Sequence, residues 1–112
     1  MSKKERQLNI SFTKKGKKTF FGLRTEIREG FLKKVQILQE NNPAEGWSYK
    51  WIKSLTGVKS VWRIRQGRYR LIFSYHQKSH LIEIEVCFLK KAGNQYERIL
   101  KALLAWVMWF GP

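Results

Sequence analysis

In 112 residues the chain carries 23 lysines and arginines against 8 glutamates and no aspartate, a formal net charge of +15 at pH 7. Its 43% hydrophobic and 14% aromatic content is enough to bury a core, which excludes a disordered basic tail and predicts one domain over residues 1–112. The charge calls for a polyanionic partner, nucleic acid ahead of an anionic membrane surface or an acidic protein, and the single Cys87 excludes an internal disulfide or a thiolate zinc site and fits a cytoplasmic chain.

The opening Met1-Ser-Lys-Lys-Glu-Arg6 has no apolar run behind its charges, so no signal peptide is expected. Within a basic N-terminal segment, residues 1–18, Leu8, Ile10 and Phe12 alternate with polar residues as an edge strand does, and Lys14-Lys-Gly-Lys-Lys18 follows as a basic loop. Thr19 is placed to cap a helix whose apolar stripe is Phe20, Leu23, Ile27, Phe31, Val35 and Leu38, with Gly22 and Gly30 weakening it without breaking it. Asn41-Asn-Pro43 ends that helix, since proline disfavours helical backbone in the residue before it. The stretch Ala44 to Gly57, with Trp47, Tyr49, Trp51, Ile52 and Leu55, fits either a short second helix or a packed loop.

Three strands come next, Val58 to Arg65, Arg68 to Tyr75 and Leu81 to Leu89, with turns at Gln66-Gly67 and at His76 to His80. Strict alternation in the last strand puts Ile82, Ile84, Val86 and Phe88 on one face and Glu83, Glu85 and Cys87 on the other. Tyr96, Ile99, Leu100, Leu103 and Leu104 predict an apolar C-terminal helix over about 94–110. Its run from Ala102 to Phe110 is about half the ~20 residues a bilayer span needs, so no membrane partner is expected. One face of a helix cannot bury Trp106, Val107, Met108, Trp109 and Phe110 together. A helix of a partner protein, a homo-oligomer contact or the chain's own core could cover them. The order β-α-(α)-β-β-β-α predicts an α+β fold, a curved antiparallel sheet of about four strands with helices on one face.

The densest signal is Val61 to Tyr75, where Arg63 and Arg65 precede a Gly turn and Arg68 and Arg70 follow it. Alternation separates these arginines from Trp62 and Ile64, and from Tyr69, Leu71 and Phe73, so one face is a core and the other an arginine panel. A solvated face, in which the arginines pair across strands with Glu83 and Glu85, competes for the same residues. His76 and His80 lack further ligands and the eight glutamates are scattered, so no metal or other cofactor is expected. Trp47, Tyr49 and Trp51 could stack bases, though core packing is the commoner fate of such residues.

Trp62-Arg-Ile-Arg65, Gly67-Arg-Tyr-Arg-Leu-Ile-Phe73 and Cys87-Phe-Leu-Lys-Lys91, with a closing helix containing Ala102, resemble the RelE/ParE toxin superfamily, its HigB-like branch most of all. The resemblance covers Leu55 to Ala102. It implies the toxin of a type II toxin–antitoxin system, a metal-independent endoribonuclease that cuts mRNA on the ribosome and is neutralised by a cognate antitoxin. It further implies that Arg70 clamps the scissile phosphate, Arg63 and Arg65 stabilise the phosphorane, and Lys91 or Lys90 stabilises charge or donates a proton. Tyr96, one residue out of step with the family's tyrosine, would be a general base. Arg68, Lys59, Lys14, Lys15, Lys17 and Lys18 complete the expected RNA-binding set. Two other readings stay open, a ParE-like DNA gyrase poison on the same fold and a non-catalytic RNA-binding module.

Overall fold

A computed structural model describes residues 8–41, 47–55, 60–91, 98 and 101–102. The elements are β1 (Asn9–Phe12), α1 (Lys14–Phe21), α2 (Thr25–Glu40), β2 (Ile52–Ser54), β3 (Val61–Gln66), β4 (Tyr69–His76) and β5 (Leu81–Leu89). They form one five-stranded sheet in the order β1-β5-β4-β3-β2. The fold is α+β as the pattern implies, with two corrections. The sheet is mixed, because β1 pairs parallel to β5, and it gains β2 from the segment expected to be helix or loop. Of the predicted C-terminal helix, Arg98, Lys101 and Ala102 are helical, and the remainder lies outside the described residues. No helix among the described residues is long and apolar enough to cross a membrane.

The apolar stripe expected to be one helix is two. Lys14 to Lys18, expected as a loop, is the start of α1, and its cap is Thr13 rather than Thr19, with Thr13 Oγ1 accepting the Gly16 N–H at 2.9 Å. The helix ends at Gly22, and Arg24 is extended before α2 begins. Arg28 Nη1 donates to the carbonyls of Phe21 and Leu23, which have no helical partner once α1 stops. In α2, Phe31, Val35 and Leu38 are buried at helical spacing. Together with Phe20, Trp62, Ile64, Leu71, Phe73, Ile82 and Ile84 they form the main core between the helices and the sheet. Trp47 belongs there too, edge-on to Trp62, Phe73 and Tyr75, so it is a core ring and not a base stacker.

Alternation along β5 does not run through to its end. Phe73 pairs with Ile84 and Ile72 with Val86, which leaves Glu85 as one extra residue, a β-bulge. Beyond it the two faces exchange. Cys87 joins the main core, while Val86 and Phe88 turn to the opposite face and cluster with Leu55, Val61 and Ile72. The expected grouping of Val86 and Phe88 with Ile82 and Ile84, and of Cys87 with Glu83 and Glu85, is therefore wrong past residue 85.

The bulge is held from outside by α1. Thr13 N–H and Oγ1 donate to the Ile84 carbonyl at 3.0 and 3.3 Å, and the same hydroxyl lies 3.1 Å from the Glu85 carbonyl. Thr19 Oγ1 accepts the Cys87 N–H at 2.9 Å, so the outer edge of β5, beyond the reach of β1, is closed by threonine hydroxyls. This contact needs a residue without a side chain at 16, because a Cβ there would sit 1.9 Å from the Ile84 carbonyl oxygen. Gly16→Ala is expected to destabilise the chain by about 1–3 kcal/mol in urea unfolding. The neighbouring exposed Lys17→Ala should stay within roughly 0.5 kcal/mol, and equal effects would contradict the docking.

Candidate nucleic-acid interface

The face of the sheet opposite the helices carries the cations, and backbone pairing sets their order. Lys53 of β2 lies directly opposite Arg63 of β3, and Arg65 lies opposite Arg70 of β4. Arg70 in turn faces Phe88 of β5, and the Lys90 N–H donates to the Arg68 carbonyl at 2.8 Å, one step further along the same two strands. Directly opposite residues share a face and hold their Cβ atoms about 4.5–5.5 Å apart. Lys53, Arg63, Arg65, Arg70, Arg68 and Lys90 therefore run as a row across four strands. The bulge decides whether Lys90 belongs to it, since uninterrupted alternation from Ile82 would aim that lysine at the helix layer.

The members of the row differ in burial. Arg65, Arg68, Lys90 and Lys91 are exposed, Arg63 is half-buried and Arg70 is 8% exposed. Arg70 Nη1 donates to the carbonyls of Gly67 and Tyr69 at 2.9 and 3.0 Å, which ties its guanidinium to the turn. That turn needs glycine, because Gly67 has φ of +60°. Arg63 Nε is buried and makes no hydrogen bond among the described residues.

Pairing of the panel with the β5 carboxylates does not occur for Arg63 or Arg65. Glu83 Oε1 lies 3.1 Å from His76 Nε2, and Glu85 Oε2 accepts the Ser74 hydroxyl at 2.7 Å. Half of this face is also drier than expected, since Leu55, Val61, Ile72, Val86 and Phe88 are buried beside the cations.

The remaining expected residues fall in three groups. Lys14, Lys15, Lys17 and Lys18 are exposed on α1, along the β5 edge and on a different element from the row. Tyr96 and Lys59 lie outside the described residues. Among the described residues no three His, Cys, Asp or Glu side chains converge, so no metal ligand set can be named.

Lys34 is a residue the sequence reading passed over. From α2 its Nζ donates to the Arg65 carbonyl at 2.9 Å and to Gln66 Oε1, and it sits 5.7 Å from the centre of the Trp51 ring. Burial and then the charge of Arg65 lower its pKa from the usual lysine value. Only Lys33-Lys34 in an otherwise regular helix precedes this contact in the sequence, and nothing in that pair distinguishes the lysine that reaches the sheet.

Solved structures of the same architecture include RelE toxins. The isolated RelE toxin of E. coli superposes with a TM-score of 0.62 at 17% identity, covering 86% of this chain and 98% of that one. RelE from the archaeal RelE–RelB complex of Pyrococcus horikoshii gives 0.61 at 22% identity, covering 78% and 99%. RelE from the RelB–RelE complex of Methanococcus jannaschii gives 0.57 at 19% identity, covering 82% and 96%. No protein-family model and no curated protein sequence matches the chain. The chain has the RelE toxin fold.

Burial holds the Glu85 carboxyl above its ordinary range, against the opposing pull of the Ser74 hydrogen bond. A raised folded value means the folded chain keeps a proton that the unfolded chain has released. The carboxyl's contribution to stability is thus fully present below the unfolded pKa and is lost as pH rises through the folded one. Glu85→Gln is expected to exceed the parent in stability in neutral urea melts, with the gap closing below about pH 4. A gap of the same size at pH 3 and pH 7 would contradict this.

Proposed function

We propose that this chain is the toxin of a type II toxin–antitoxin pair, an endoribonuclease that cleaves messenger RNA on the ribosome without a metal ion. The observation that carries the reading is the row of cations fixed by strand register, with Arg65 opposite Arg70 and Lys53 opposite Arg63. Like charges directly opposite one another destabilise a sheet, and a phosphodiester bound across them removes that repulsion. The RelE fold, and the RelB complexes in which related folds occur, support the assignment of a toxin and of a cognate antitoxin as its partner.

Cleavage through the RNA's own 2′-hydroxyl needs that proton removed, negative charge stabilised on the phosphorane, and a proton given to the departing 5′-oxygen. In this proposal Arg63 and Arg65 stabilise the phosphorane. Arg70, anchored to the turn by Nη1, fixes the centre of the row where the scissile phosphate sits. Lys90 or Lys91 protonates the leaving oxygen or stabilises its charge, and Tyr96 acts as the base. Arg68 and the lysines of α1, with Lys59, hold flanking RNA. Covering this face with the antitoxin silences the activity.

The test is purified chain added to translating ribosomes with a labelled message, the ends being mapped by primer extension. New ends are expected with the parent chain. Arg63→Ala and Arg65→Ala are each expected to lower their yield on the order of 10²-fold, as loss of one donor to developing charge does. Arg65 is exposed, so that variant keeps its fold. An uncut message with the chain bound to ribosomes would leave an RNA-binding module, and double-stranded DNA breaks in its place would indicate a gyrase poison.

A further inference from the structure

Beside the β2 edge of the cation row lies an aromatic pair that the cleavage chemistry does not use. Tyr49 and Trp51 stack with ring centres 4.9 Å apart and planes 2° from parallel, and Tyr49 is 37% exposed. The core rings around Trp47 pack edge-on, meeting Trp62, Phe73 and Tyr75 at 61–78°. The parallel pair at the surface has another geometry: the rings lie flat and offset over one another, and Tyr49 is the more exposed of the two. Its position is fixed by packing of Trp51 against the main core and by two further contacts. The Trp51 carbonyl accepts the Arg65 N–H at 2.8 Å, and the Lys34 ammonium stands 5.7 Å from the Trp51 ring centre. The stack is therefore tied by its backbone to the residue that carries a central cation of the row. Lys50, between the two rings in sequence, and Lys53, two residues past them, are both exposed.

We propose that Tyr49 and Trp51 form a stacking platform for an unpaired nucleobase of a single-stranded RNA whose backbone crosses the adjacent cation row. The inference rests on the RNA reading above and adds to it the site that receives a base. Flat aromatic surface set among Lys34, Lys50, Lys53 and Arg65 suits a ligand that alternates π-faces with phosphates, and any of the four bases offers such a face. A protein partner would need carboxylates to meet the same cations and would gain nothing from rings held parallel. Base identity is not read by stacking, so the platform contributes affinity and the placement of the strand over the row more than sequence choice.

The experiment compares a uridine hexamer with an abasic ribose-phosphate hexamer of equal charge, each titrated into the parent, Tyr49→Ala and Tyr49→Phe at one salt concentration. The parent is expected to favour the base-bearing strand roughly ten-fold or more, the range that base–aromatic stacking supplies. Tyr49→Ala should lose most of that preference while holding the abasic strand as the parent does, and Tyr49→Phe should retain it. An unchanged preference in Tyr49→Ala overturns the platform and leaves RNA binding standing. Equal loss for both strands overturns it as well, because the tyrosine is then supporting the fold. Failure of the parent to bind either strand overturns the RNA reading itself. A concentration-dependent dimer that Tyr49→Ala abolishes, with the strand preference unaltered, would reassign the rings to a contact between copies.

Discussion

One extra residue in β5 governs what this protein can present to a partner. Glu85 has no opposite number in β4, and past it every side chain of β5 exchanges faces. Cys87 is thereby turned into the core, where burial pushes its thiol up to about 12, and Lys90 follows Phe88 onto the face of the arginines. Bulges of this kind re-aim side chains near sites, and they persist when surrounding contacts fix them. Here those contacts come from α1, whose Thr13 and Thr19 hydroxyls take up the backbone groups at the kink and whose Gly16 lets the helix touch the strand. A short lysine-rich helix with a glycine in its first turn is poorly suited to stand alone. Docking on the bulge is what holds it.

The second consequence is electrostatic. Two pairs of cations face each other across neighbouring strands, and the two nearby carboxylates are engaged by His76 and Ser74. A sheet selected for stability alone would alternate signs across such pairs. Beside the cations, Leu55, Val61, Ile72, Val86 and Phe88 supply apolar burial that anchors this face independently of its charges. Arg70 belongs to both regimes, bonded to the turn carbonyls and seated in the middle of the row. Substituting it alters the hairpin and the charge together, so exposed Arg65 gives the cleaner probe of the proposed chemistry.

Much of this was legible in the residues, for physical reasons that differ from element to element. Period-two alternation around Gly67 fixed the β3–β4 hairpin and the face of its arginines, because a left-handed glycine between alternating strands admits few other structures. The stripe from Phe20 to Leu38 located the helical layer but not its break, since Gly22 is tolerated in a helix and the stop comes from Arg24 turning extended. Lys14 to Lys18 gave no helical signal: the helix there depends on Thr13 and on contact with Ile84, 71 residues from Thr13 in sequence. β2 was hidden because three residues are too few for a period, and the β5 bulge because an added residue leaves no mark in a strand whose residues are apolar on both sides of it. Of the candidate site, Arg63, Arg65, Arg68, Arg70 and Lys90 fall on one face, and Lys34, reaching in from α2, had no local signature.

The account depends on the row acting as one anion-binding surface, and the ionic-strength dependence of RNA binding measures that directly. For a single strand, log Kobs falls against log salt with a slope of about −0.7 per phosphate neutralised. Removing two members of the row in an Arg63→Ala, Arg65→Ala double variant is predicted to make the slope for a short single-stranded RNA shallower by about 1.4, with the far-UV spectrum unchanged. A double variant whose slope equals the parent's would contradict the account, because the phosphates would then be held elsewhere.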